Sequence, residues 1–253
     1  MFYFMLYPFL TYSRILIFAA IIPAVFLMVY VYKSDKLEKE NPRFLGSVAV
    51  SGILSALLAL VLEWLLGIIL DAVGIQSEKT YNIILYFIVV AGSEEGSKYF
   101  FLRRKTWHSR EFNCQYDGVV YAVFVSLGFA LWENISYVMH YGLSVAIIRA
   151  ITAVPGHACF GVFMGIFYGL ARGYAFMREE GKKKLMNTLS VALPVLLHGS
   201  YDYIASMTEA GSSWYFVAFV AVMFIVSLIL IRNMSKNDKY FSINRSTVNF
   251  EIL

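Results

Sequence analysis

The chain has 253 residues, 59% of them hydrophobic, 17% aromatic and only 15% charged, with a formal net charge of +4 and a mean hydropathy of +0.65. A soluble domain carries about 25% charged and about 45–50% apolar residues, so this composition excludes one and indicates a polytopic membrane protein. The small positive charge gathers where lysine and arginine flank apolar stretches, so it is no nucleic-acid footprint.

Windows of about 20 apolar residues predict seven membrane helices, near 14–32, 44–70, 80–102, 115–139, 145–171, 187–207 and 213–232. The opening Met1-Phe-Tyr-Phe-Met-Leu-Tyr-Pro8 lacks the basic region and small-residue cleavage site of a signal peptide, so it is expected to stay. Basic residues alternate between loops. The segments 33–43 and 103–112 hold four Lys/Arg each, 172–186 holds five, and the tail from Arg232 holds four. The remaining loops hold few. The positive-inside bias therefore predicts an N-terminus outside and a C-terminus in the cytoplasm. The expected architecture is all-α: one membrane-embedded domain over 1–253, with a motif-bearing core near 80–207 and a cytoplasmic tail at 232–253. Cys114 and Cys159 are expected to be structural filler without a disulfide.

The ionisable residues inside these spans carry the functional signal. The third span holds Glu94, Glu95 and Lys98, the fourth Glu133, the fifth His157, and the sixth His198 and Asp202. Seven such groups without partners would cost on the order of 10 kcal/mol or more, so they must meet one another, water or a metal inside the bundle. Spacing supports convergence. Ser190, Pro194, His198, Asp202 and Ser206 recur every four residues, one polar stripe on a helix. His157 heads a stripe continued by Gly161, Gly165 and Gly169, whose small size allows close helix approach. Phe129, Glu133 and Tyr137 share a face of the fourth span. A single buried histidine is as readily an ordinary inter-helix hydrogen bond as a functional group. Lys98 reads as structural, neutralising a glutamate one turn back or snorkelling inward, and Glu63 as a packing or portal residue. Two histidines and four carboxylates on four consecutive spans, taken together, resist that structural reading.

Neutral imidazoles and carboxylates are the ligands of a catalytic zinc, which would draw on His157, His198, Glu133 and Asp202 and leave a glutamate as general base. A metal-free centre is the alternative, with a glutamate activating water while His and Asp stabilise the oxyanion. The zincin His-Glu-x-x-His signature, a Cys-x-x-Cys site and the Gly-x-Ser-x-Gly elbow are all absent from the sequence. Both versions hydrolyse a bond brought into the bilayer. An ion- or proton-coupled transporter uses similar residues, and so does a catalytically silent scaffold for a partner helix. No corresponding halves of the kind many transporters carry are visible.

Glu94-Glu95-Gly-Ser-Lys98, Phe129-x-x-Trp-Glu133-Asn-x-x-Tyr137, His157-x-x-x-Gly161 and His198-Gly-x-Tyr-Asp202 occur in this order. The series resembles that of the PrsW family of bacterial intramembrane-type proteases, distantly related to the CAAX prenyl protease and Abi family, over about 80 to 205. The resemblance implies a membrane-embedded endopeptidase of the bacterial plasma membrane. It further implies site-one cleavage of a single-pass anti-sigma factor on its extracytoplasmic side, which starts regulated intramembrane proteolysis. The partners it implies are that substrate and the lipid bilayer, with no nucleic acid. Carried over, the catalytic residues are Glu94, Glu95, Glu133, His157, His198 and Asp202. In the CAAX/Abi relatives a histidine stands at the place of Glu133, and asparagine is frequent at that of Asp202. Those departures leave the role of a metal open.

Overall fold

The computed structural model describes residues 2–207 and 212–241. Among them the chain is helical, with one isolated antiparallel bridge, Cys114 to Tyr240, and no strand. The side chains of the opening octapeptide and the tail beyond 241 lie outside what is described.

The helices run in chain order as α1 (Phe2–Ser34), α2 (Pro42–Val73), α3 (Glu78–Ile84), a π-helical stretch (Leu85–Val90), α4 (Ala91–Thr106), α5 (Gln115–Tyr141), α6 (Leu143–Ile151), α7 (Ala153–Phe176), α8 (Glu180–Ala205) and α9 (Ser212–Lys236). Their ends are set by local chemistry. Asn41 caps α2 by accepting from the Arg43 amide at 2.9 Å, Pro42 occupies the first turn, and Gly74 closes the helix at φ +67°. Asp117 accepts from the amides of Asn113 and Cys114 at 2.9 and 2.8 Å and so caps α5 from inside its first turn. Both cysteines are buried and free.

Among the described residues, five helical segments are long and apolar enough to cross a membrane: Ser13–Ser34, Pro42–Val73, Gln115–Tyr141, Leu143–Phe176 (α6 with α7) and Trp214–Lys236. The expected spans at 80–102 and 187–207 are helical too, within α3–α4 and α8, but they are not among these five. Their polar residues are the reason, since those segments carry the candidate site. The expected helix over 145–171 is interrupted. Thr152 leaves helical geometry (φ −121°, ψ −71°) between α6 and α7, and Gly142 turns the chain into α6 at φ +87°.

α5 is the central helix, packing most extensively on α7 and next on α2 and α1. Glycines bring the backbones together. A Cβ on Gly165 would collide with Val119 Cα and the Gly118 carbonyl, and one on Gly128 with the Ala49 carbonyl. Most of α5 from Tyr116 to Ala130 is therefore buried. The glycine stripe is the α5 contact face of α7, which turns His157, at its head, into the bundle.

Gly165→Ala is expected to destabilise the fold by about 1–3 kcal/mol through overpacking, lowering the melting temperature in detergent by roughly 2–4 °C per kcal/mol. Gly67→Ala, at a position where a Cβ meets nothing within 4 Å, is the control and should leave it unchanged or higher. Equal melting temperatures for the two variants would contradict the close α5–α7 crossing.

Candidate active site

The site lies where α4, α5, α7 and α8 meet, beside a cavity of about 510 Å³. Two backbone features set its register. The π-helical stretch carries a hydrogen bond from the Ala91 amide to the Tyr86 carbonyl, five residues back, which inserts an extra residue just ahead of Glu94 and Glu95. Gly199 lets α8 lie against that stretch, because a Cβ there would strike Phe87. The neighbour of Gly199 is His198, which is thereby held against the two glutamates.

Lys98 is the hub. Its ammonium lies 3.0 Å from Glu94 Oε2, 2.7 Å from Glu95 Oε1 and 3.1 Å from His157 Nδ1. An ammonium has three hydrogens and no acceptor capacity, so these three partners saturate it. His157 then accepts at Nδ1, which leaves its Nε2–H to donate to Glu133 Oε2 at 2.7 Å. Lys98 is fully buried, and the Phe129 ring sits 4.0 Å from its nitrogen.

The second histidine joins the same network. His198 Nδ1 lies 2.9 Å from Glu95 Oε1, and its Nε2 lies 3.3 Å from Asp202 Oδ2, one turn along α8. Its ring stacks on Phe160 at 4.7 Å and stands edge-on to His157 at 5.6 Å. All six expected site residues are thus in one connected cluster. Glu94, Glu133, His157, His198 and Asp202 line the cavity, as does Glu63, while Glu95 is fully buried behind it. Phe129, Glu133 and Tyr137 line it together, as their spacing predicts.

Three further residues belong here. Arg149 approaches Glu133 Oε2 at 3.0 Å through Nη2, donates from Nε to Asn134 Oδ1 at 2.9 Å, and stacks 4.1 Å over Tyr137. Asn134 is itself pinned by donating to the Ala20 carbonyl at 2.8 Å. Lys98, read from the sequence as a neutralising partner, neutralises both glutamates and orients a histidine as well. The signal for Arg149 was a lone basic residue near the start of the expected helix over 145–171.

The expected zinc ligands pair off in the structure. His157 turns to Glu133 and His198 to Asp202, and those four donor groups do not share ligand spacing. The group whose donor atoms all lie within 4.8 Å of one another, among the described residues, is Glu94, Glu95 and His157. These are the same three side chains that hold the Lys98 ammonium. A metal held by this group would draw on the donors that hold the ammonium.

A profile described as PrsW family intramembrane metalloprotease matches residues 40–230. The chain belongs to that family. It is 34% identical over 223 residues to Protease PrsW of Oceanobacillus iheyensis, covering 87% of this chain and 95% of that relative. It is 32% identical over 210 residues to Protease PrsW of Bacillus subtilis (83% and 90% covered), and 27% identical over 229 residues to that of Clostridioides difficile (88% and 90%). No solved structure matches. As a PrsW-family member the chain is a membrane-embedded peptidase and a multi-pass bacterial membrane protein. The family match does not favour the transporter alternative.

Removing one partner from a buried ion pair strands the other charge and costs about 3–5 kcal/mol. Glu95→Ala is therefore expected to destabilise the protein by about that amount, and Glu95→Leu combined with Lys98→Met to recover part of it. Chemical denaturation of the variants in detergent measures both. Additive losses would contradict the pairing.

Proposed function

We propose that the chain hydrolyses a peptide bond of a single-pass membrane protein, with Glu94 as the base that activates water and Glu133, His157, His198 and Asp202 as the surrounding machinery. One observation carries the assignment within the glutamate pair. Glu94 lines the cavity, whereas Glu95 is sealed from it and occupied by Lys98 and His198.

In this reading Glu94 takes a proton from water as the oxygen attacks the scissile carbonyl carbon, then returns that proton to the departing amine. Developing charge on the carbonyl oxygen needs donors already aimed into the cavity. Arg149, Tyr137 and Tyr201 are among the donor-bearing residues that line it. Glu95 fixes Lys98 and His198, and Lys98 in turn holds Glu94 in one orientation. The apolar wall formed by Ala56, Leu60, Val90 and Trp132 suits an unfolded segment of a substrate helix. Backbone opened in this way would find polar partners inside the cavity rather than lipid.

The substrate we propose is an anti-sigma-factor-like protein cut on its extracytoplasmic side, the first step of regulated intramembrane proteolysis in a stress response. Two readings support it: the motif series, and the positive-inside topology expected from the loop charges, under which Glu133, His157 and Asp202 would fall in the outer half of the bilayer. Residues 1–253 would serve as one protease domain.

Glu94→Gln should reduce cleavage of a single-pass substrate in detergent or liposomes by about 10²-fold or more, with the melting temperature kept within a few degrees. Near-wild-type cleavage by a folded Glu94→Gln protein would remove Glu94 as the base.

A further inference from the structure

The centre already contains a cation, and that cation is a side chain. Lys98 reaches its position from α4, on the same helix as the two glutamates, at spacings of three and four residues that place all three on one face. Its remaining hydrogen bond crosses to His157 on α7. The three acceptors are two carboxylates and an imidazole, the donor types that zinc takes in catalytic sites. They are also the described group with metal-ligand spacing. An ammonium and a divalent ion at this place would need the same lone pairs. They would also repel one another in a setting with little water to screen them.

Lys98 has no way out that keeps it solvated. Its side chain is fully buried, and Phe129 sits against the ammonium. A metal could enter only by leaving a buried cation without partners or by stripping its proton.

We propose that Lys98 is the resident cation of this centre, occupying the position between Glu94, Glu95 and His157 that a divalent metal would otherwise take. Lys98 is then a positioning residue: it sets the Glu94 carboxylate and the His157 tautomer, and it excludes the metal. The proposal rests on the hydrolytic reading of the site, deepens it, and differs from the metalloprotease description of the family.

The test measures metal content of the purified full-length protein equilibrated with zinc chloride, by elemental mass spectrometry, without substrate. The wild type should hold well below one equivalent at this centre, so His157→Ala should not change its zinc content. Lys98→Met keeps the aliphatic stem and removes the charge. It should gain about one equivalent, as expected of a vacated three-donor site, and lose it again in Lys98→Met/His157→Ala. About one equivalent in the wild type, falling in His157→Ala, would overturn the proposal. So would a folded Lys98→Met protein that takes up no zinc, because the three donors would then not be a metal's position. If Lys98→Met does not fold, the wild type and His157→Ala decide the question alone. Failure of the protease reading shows instead as a wild type that does not cleave, a separate measurement.

Discussion

A buried ammonium at a membrane-embedded centre organises everything else in this protein. Left alone it would carry a cost of several kcal/mol. Here its three hydrogens meet three acceptors at 2.7–3.1 Å, which offsets that cost only because all three are in place at once. The constraint extends outward. Saturating Lys98 fixes the His157 tautomer, which fixes the bond to Glu133, which Arg149 also engages. Glu95 carries the same constraint to His198, and His198 to Asp202. The six site residues, spread over four helices, are all tied to one nitrogen atom.

Such a network demands close control of backbone placement, and the packing shows where it comes from. α7 can present His157 to Lys98 because Gly161, Gly165 and Gly169 let it lie against α5 without side chains between. α8 can present His198 to Glu95 because Gly199 admits Phe87. The π-helical stretch rotates α4 relative to its place in a continuous α-helix, and it coincides with the turn before the glutamate pair. Close packing is thus a condition of the chemistry: a displaced helix would leave a charge unpaired inside the bundle.

Much of this was legible in the sequence. The glycine stripe on α7, the polar stripe on α8 and the Phe129–Glu133–Tyr137 face are set by a period of 3.6 residues; the glycine stripe packs on α5 and the Phe129–Glu133–Tyr137 face lines the cavity. The six candidate residues were singled out because charges in apolar helices are too costly to be incidental, and the fold brings them into one cluster. Three things were not legible. The π-helical stretch has no apolar signature, since Leu85 to Val90 reads as ordinary membrane helix. The break at Thr152 was hidden because α6 is as apolar as α7, so Arg149 fell inside one expected helix over 145–171 and its place over the cavity was not anticipated. The distinction between Glu94 and Glu95 depends on a local rotation that neighbouring letters cannot encode. The expected zinc ligands were chosen by residue type, which does not encode that Lys98 lies between Glu94, Glu95 and His157.

Geometry that sorts the two glutamates also separates two tasks often assigned to one residue. Glu95 is a structural acceptor held by two cationic or hydrogen-bonding neighbours, and Glu94 shares the lysine while opening onto the cavity. The most direct test is an experimental structure of the Glu94→Gln protein with an uncleaved single-pass substrate bound in lipid. The account predicts an unwound substrate segment in the cavity, its scissile carbonyl one water molecule from residue 94 and the Lys98 nitrogen still between Glu95 and His157. A substrate bound elsewhere, or a scissile bond beyond the reach of residue 94, would contradict it.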